Sequence, residues 1–315
     1  MPITLPPQVA RTIRTYFPAR GAQWIADLPA LTEKLCGSWD LELIGDAFGG
    51  GTHSFVAPVR RADSSTAVLK VPVVDDDNRG EATALHSYRG DGAVRLYDYD
   101  PASGAMLLEW ARPGMPLLGQ PGFPSLEGRP DNIWRIERAC RLYRRLRRRP
   151  GDIPDGFPTL PSATALTANW AARFGDPEPA LAQVVPAELL ERAAALCATL
   201  ATPDGPLLIV NRDTHLGNIV AAEREPWLLI DPIPFLGEAA FDAGYLVLIQ
   251  VQSDPTPEHA AAVVARTAAA LDVDPRRAHT WAFLRAMEEI SWSVDDDDPE
   301  MRALHLATAH ALVVS

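Results

Sequence analysis

A chain of 315 residues has room for two domains, or for two lobes around one cleft, and for a sizeable core. Its apolar share of 47%, charged share of 22% and net charge of −12 describe an ordered soluble protein. They argue against nucleic acid as a partner, whose footprint would be basic, and are compatible with a cationic ligand.

The three cysteines form no CxxC pair, so a reducing compartment is expected. MPITLPPQVARTIRTYFP lacks a signal-like apolar core, and no apolar run reaches the ~18 residues of a membrane span. A cytoplasmic enzyme follows, a monomer or homodimer without a membrane partner.

Residues 7–35 place Val9, Ile13, Tyr16, Trp24, Ile25, Leu28 and Leu31 at helical spacing. This predicts one or two amphipathic helices broken near Pro18 and Gly21. WDLELIGDAF, HSFVAPVRR and STAVLKVPVV predict an antiparallel meander of three strands. RGEATALHSYRG predicts a helix of about three turns. AVRLYDYDPASGAMLLEWA predicts a hairpin turning at Pro101–Gly104. A linker is expected near 109–116.

Beyond it, DNIWRIERACRLYRRLRRR carries apolar positions 133, 136, 140, 143 and 146 on one stripe and arginines on the other, a solvated helix face. Helices are expected at about 163–174 and 186–202. The short apolar strands 207–210 and 227–230 are expected to pair as a hairpin. Helices run from about 242 to the end, with DDDDPE at 295–300 as a loop between the last two. The organisation is a β-rich N-terminal lobe, 1–110, and a mainly helical C-terminal lobe, 111–315.

Polar clusters follow both short strands. Asp213 and Asn218 lie five residues apart in NRDTHLGN, and Asp231 ends the next apolar run. Two carboxylates and an amide oxygen are hard ligands suited to Mg²⁺. D-x-x-x-x-N followed by a strand-terminal Asp is the spacing of kinase-like phosphoryl-transfer sites. There the first Asp takes the proton of the acceptor hydroxyl, and the Asn and second Asp hold metal at the nucleotide phosphates. Each residue alone could equally be a turn former.

The N-terminal half offers the matching parts. In FGGGTHSFV, Gly49, Gly50, Gly51 and Ser54 could turn closely over phosphates, although three glycines also suit an ordinary hairpin. The stretch is not a Walker A loop, because Gly51 stands where Lys is required. Lys70 ends the alternating run TAVLKV, and Glu81 lies close enough downstream to pair with it.

With FGGGTHSFVAPV, AVLKV, GEATALHSYRGDGAVRLYDYD, LLEWARPGMPL, LYRRLRRRPGDIPDGFPTL, NRDTHLGNIV and PWLLIDPIPFLGEAAFDAGYL, the chain resembles the aminoglycoside phosphotransferase superfamily from about Trp39 to Trp292. The match is to its streptomycin and hydroxyurea branch. The resemblance implies an α+β, bilobal, protein-kinase-like fold with ATP and Mg²⁺ in the cleft.

It makes Asp213 the catalytic base, Asn218 and Asp231 the Mg²⁺ ligands, and Lys70 the α/β-phosphate ligand oriented by Glu81. Leu107 to Trp110, including Glu109, becomes the hinge that reads adenine through backbone groups. His215 supports the catalytic loop, and Asp242 braces it, with a helix N-cap as the plainer role.

Two departures stand out. Asn211-Arg212-Asp213 replaces the usual H-G-D, and Asp231-Pro232-Ile233-Pro234 replaces D-P-K-P. For the acceptor, Glu288, Glu289 and the aspartates from Asp295 to Asp298 are candidates to hold a cation, with Trp292 as a wall. Adjacent Glu288 and Glu289 should not both point inward. The function implied is transfer of the ATP γ-phosphoryl to a small antibiotic-like molecule, conferring resistance. The rivals are a nucleotide-binding module without transfer activity and a kinase of an unrelated metabolite. A protein kinase is disfavoured, since only ten residues separate Asp231 from Asp242.

Overall fold

The computed structural model describes residues 3–49, 53–118 and 130–313. Its first part is α1 (Pro7–Tyr16) and α2 (Gly21–Ser38), then β1 (Leu41–Leu43), β2 (Ser54–Arg61), β3 (Thr66–Pro72), α3 (Glu81–Tyr88), β4 (Leu96–Asp100) and β5 (Ala105–Glu109). The break between the first two helices needs Gly21, where a Cβ would lie 2.7 Å from the Ile13 carbonyl oxygen.

The five strands form one antiparallel sheet in the order β1-β2-β3-β5-β4. Alternation assigns its faces. Phe55, Ala57, Val59, Ala67, Leu69, Val71, Ala105 and Leu107 pack with Leu28 and Leu35 of α2. Val68, Met106 and Leu108 face the other way, into the main core beside α3. Lys70 shares that second parity, which turns it toward the cleft. α3 has eight residues, shorter than the sequence pattern suggests.

The second part comprises β6 (Pro113–Pro116), α4 (Pro130–Leu146), α5 (Ala163–Gly175), α6 (Pro179–Val184), α7 (Ala187–Leu200), β7 (Leu208–Asn211), β8 (Ile219–Ala222), β9 (Leu228–Leu229) and β10 (Pro234–Gly237). Helices α8 (Ala243–Val251), α9 (Pro257–Leu271), α10 (Pro275–Asp295) and α11 (Pro299–Ala311) follow. Three starts share one device. Thr256, Asp274 and Asp298 each accept a backbone N–H in the first turn, and each precedes a proline that has no N–H to satisfy.

Three expectations are corrected. The segment at 109–116 is not only a linker, since β6 pairs with β8. Strands 207–210 and 227–230 do not form a hairpin. β7 pairs with β10, and β9 pairs with β8 across a short turn, which brings closer neighbours together. The arginines at the end of α4 are not simply solvated. Arg145 bonds Asp91 and Glu225, Arg147 bonds Asp242, and Arg148 bonds Asp91 and the Tyr88 carbonyl.

Candidate active site

The β7–β10 and β8–β9 pairs together bring the polar clusters to one place. Arg212 N–H donates to the Ile233 carbonyl at 2.9 Å, and Ile230 N–H donates to the Asn218 carbonyl at 2.8 Å. Asn218 precedes β8 and Asp231 follows β9, so this bond sets the two residues side by side. Asp231 adopts the left-handed region, φ 52°, a conformation that Asp tolerates better than most residues.

Within the loop, Asn218 Nδ2 donates to Asp213 Oδ2 at 3.1 Å. That leaves the Asn218 amide oxygen as the group able to meet a metal. His215 Nδ1 accepts from Gly217 N–H at 2.9 Å, so its Nε2, 3.3 Å from Asp213 Oδ2, carries the proton toward that carboxylate. Burial lowers the His215 pKa, but the contact with Asp213 outweighs it and the net shift is upward.

Below the loop, Asp242 Oδ1 accepts Asn211 N–H at 2.8 Å and Oδ2 accepts Arg147 Nε at 2.6 Å. It makes no side-chain cap to α8, so the N-cap alternative is set aside. Burial raises the Asp242 pKa, against the pull of Arg147 and the Asn211 amide. Thr214 and the side chain of Asn211, bonded to Tyr88 Oη at 3.2 Å, complete the loop's foundation.

Across the cleft, Lys70 Nζ lies 2.6 Å from Glu81 Oε2 and 2.5 Å from Asp231 Oδ1. The Lys70 and Glu81 side chains are 7% and 1% exposed, while that of Asp231 is 57% exposed. Burial works against the Lys70 ammonium, yet the two carboxylates raise its pKa. Burial pushes Glu81 up to about 7. The Lys70 ammonium beside Asp231 holds its carboxyl below the usual value. Gly80 lets α3 start tightly, since a Cβ there would lie 2.9 Å from Pro234 Cγ.

The rest of the expected nucleotide side divides. Gly50 and Gly51 lie outside the described residues. Gly49 accepts a hydrogen bond from the Gln8 amide of α1, and Ser54 is buried at the start of β2. Glu109 keeps its place at the end of β5, with its side chain engaged within the protein. Its carboxylate takes Arg224 through two 2.8 Å bonds, and its N–H donates to the Arg95 carbonyl. It joins the sheet to the β8–β9 turn. Trp110 packs against Phe48, with ring centroids 5.8 Å apart, and carries the Arg112 guanidinium 3.8 Å above its ring.

The expected acceptor residues also divide. Glu288 and Glu289 both turn inward, at 7% and 16% side-chain exposure, contrary to the expectation that only one would. Glu288 is corrected as a cation holder. Arg212, Arg285 and the Trp170 indole already occupy its oxygens. Asp295 pairs with Arg173 at 2.8 Å, and Asp298 caps α11. Glu289 bonds Arg285 at 2.9 Å. Its pKa is raised by burial first, with Glu288 and Asp213 adding to the rise. Trp292 is partly exposed and faces the Arg212 and Arg285 guanidiniums at 4.9 and 5.3 Å.

Sequence reasoning missed Arg147, Arg224, Arg285 and Asp77. Arg147, Arg224 and Asp77 act through partners far along the chain, whereas Arg285 meets Glu288 and Glu289 on its own helix. The RRR pattern at Arg147 and the DDD run at Asp77 were the only hints.

Comparison with known proteins identifies the family and the fold. The model of the aminoglycoside/hydroxyurea antibiotic resistance kinase family matches residues 39–297. The streptomycin 6-kinase of Streptomyces glaucescens is 30% identical over 98% of this chain and 97% of its own. The hydroxyurea phosphotransferase of Kitasatospora aureofaciens is 31% identical over 99% of this chain and 86% of its own. Among solved structures, aminoglycoside phosphotransferase APH(4)-Ia shares the fold, with a TM-score of 0.60 at 12% identity over 90% of this chain and 97% of its own. The chain belongs to the aminoglycoside/hydroxyurea antibiotic resistance kinase family and is an ATP-using phosphotransferase of bilobal, kinase-like fold.

Proposed function

We propose that this chain transfers the ATP γ-phosphoryl to a hydroxyl of a streptomycin-type aminocyclitol or of hydroxyurea, and that the N-terminal lobe, 1–110, and C-terminal lobe, 111–315, close on the nucleotide. The observation that carries this is the convergence of Asp213, Asn218, Asp231 and Lys70 on one cleft from strands of both parts.

Asp213 accepts the proton of the acceptor hydroxyl as that oxygen bonds to the γ-phosphorus. The bond from γ-phosphorus to the bridging oxygen breaks, and its electron pair leaves with ADP. Lys70, still held by Glu81, exchanges its Asp231 partner for the α/β-phosphates. Gly49, Gly50, Gly51 and Ser54 cover the phosphates, and the hinge from Leu107 to Trp110 meets the base.

The donor set fits Mg²⁺, which takes one or two protein oxygens and otherwise water and phosphate. The Asn218 amide oxygen and the Asp231 carboxylate would hold it. When bound, it neutralises charge on the phosphates. Transfer through a loose transition state depends chiefly on positioning and charge, so the braced loop matters as much as the base.

Glu289, Trp292 and Asp213 line the acceptor side. With Glu288 and Asp295 held in internal ion pairs, the acidic balance does not select a polycation by itself. Incubation with Mg·ATP and either streptomycin or hydroxyurea should yield the phosphorylated acceptor and ADP. Mg·ATP binding with no transfer to either would reject this reading.

A further inference from the structure

Arg212 occupies the position directly before Asp213, and its contacts reach three separate parts of the molecule. Its Nη1 lies 2.6 Å from Asp77 Oδ1, in the loop between β3 and α3. Its Nη2 lies 2.5 Å from Glu288 Oε1 on α10. Its guanidinium stands 4.9 Å from the Trp292 ring centroid and 5.8 Å from that of Phe235 on β10. Its main chain is fixed to Ile233. The Arg212 side chain is 8% exposed, whereas that of Asp77 is 53% exposed. A planar fork can hold two carboxylates in fixed directions, which a single ammonium cannot do.

The same loop that holds Asp77 leads into α3. Asp75 Oδ1 accepts Asn78 N–H, and Arg79 N–H donates to the Asp75 carbonyl. Glu81 and, through it, Lys70 lie just beyond. The Arg212 fork therefore ties the segment that carries the phosphate lysine's partner to the catalytic loop and to the acceptor helix.

We propose that Arg212 is a positioning residue. It sets Asp213 in line between the nucleotide held by the first lobe and the acceptor held against α10, with Asp77 as the contact between lobes. This rests on Asp213 being the base. A surface ion pair between Arg212 and Asp77 without such a role would contribute little, and its loss would leave turnover as it was.

The test uses the full chain with Asp77→Asn, Arg212→Lys and the double variant. Asp77 is exposed, so Asp77→Asn retains the fold even if Arg212→Lys is impaired. Phosphate transfer to streptomycin and to hydroxyurea is measured together with amide hydrogen exchange across 211–218 in the protein alone. Asp77→Asn should lower kcat about tenfold while the KM for ATP changes less than about threefold, as expected for misplacement of a reacting group.

The double variant should be no slower than Arg212→Lys, because both substitutions break one contact. Exchange across 211–218 should quicken in each. Asp77→Asn with unchanged kcat and exchange, or additive losses in the double variant, would overturn the proposal. If the wild-type protein phosphorylates neither acceptor, the functional reading fails separately. Hydrogen exchange then decides the fork alone, with unchanged exchange in Asp77→Asn counting against it.

Discussion

On the nucleotide side of the cleft, Lys70 stands between a buried carboxylate, Glu81, and a solvent-facing one, Asp231. On the acceptor side, Glu288 is enclosed by Arg212, Arg285 and Trp170, and each arginine has a second acidic partner. The first arrangement can exchange a partner, because the open carboxylate can accept hydration when the lysine turns to a phosphate. The second is closed. Removing one charge strands others in an interior that cannot rehydrate them. Acidic residues near a cleft therefore differ in kind: Asp231 stands open to solvent beside Lys70, whereas Glu288 holds the walls in place.

Substitutions can break this contrast. Glu288→Ala should destabilise the fold most, by about 3–5 kcal/mol, since two buried arginines lose a shared carboxylate. Chemical denaturation measures this directly. Lys70→Met should be milder, about 1–3 kcal/mol, because burial already pushes Glu81 up to about 7 and it can neutralise itself by taking a proton. Its larger effect should be weakened Mg·ATP binding, seen by calorimetry. If Lys70→Met destabilised the protein more than Glu288→Ala, the distinction between an exchangeable and a closed pair would fail.

Acid should produce a smaller change. Burial lowers the pKa values of His279, which donates to the Leu312 carbonyl, and His305, which meets the Gln252 amide. A depressed histidine contributes stability that is present above its unfolded value, about 6.5, and lost as pH falls through the folded value. His215, whose pKa is raised, has the opposite sign: its contribution is present below 6.5 and fades as pH rises. The melting temperature should fall from pH 7.5 to 5.5, and a His279→Gln/His305→Gln variant should show a shallower decline. Least affected should be Asp295→Ala, within about 1 kcal/mol, because its pair with Arg173 is open to water.

Much of the cleft could be read from local pattern. The run TAVLKV read as a strand ending near Lys70, as β3 does. The spacing of Asp213 and Asn218 needed only a short loop, and Glu81 opens the next helix. What escaped reading depended on distant partners. Strand 207–210 is apolar enough to pair with either 227–230 or 234–237, and nothing within it distinguishes them. Nothing near Glu109 showed that Arg224 folds back onto its carboxylate, and the acidic residues of α10 looked available until Arg212 and Arg285 reached them. Charge in a sequence shows where ions are present but not which counter-ion arrives in space. The departure at Arg212 was visible, but its partners, at positions 77 and 288, were not.

If Asp213 supplies the base, the site should bind nucleotide independently of it. Phosphate transfer from Mg·ATP should be followed in single turnover for the wild type and Asp213→Ala, with nucleotide affinity measured on the same samples. Transfer should fall by about 10²–10⁴-fold while affinity for Mg·ATP stays within severalfold. Full turnover by Asp213→Ala would contradict it.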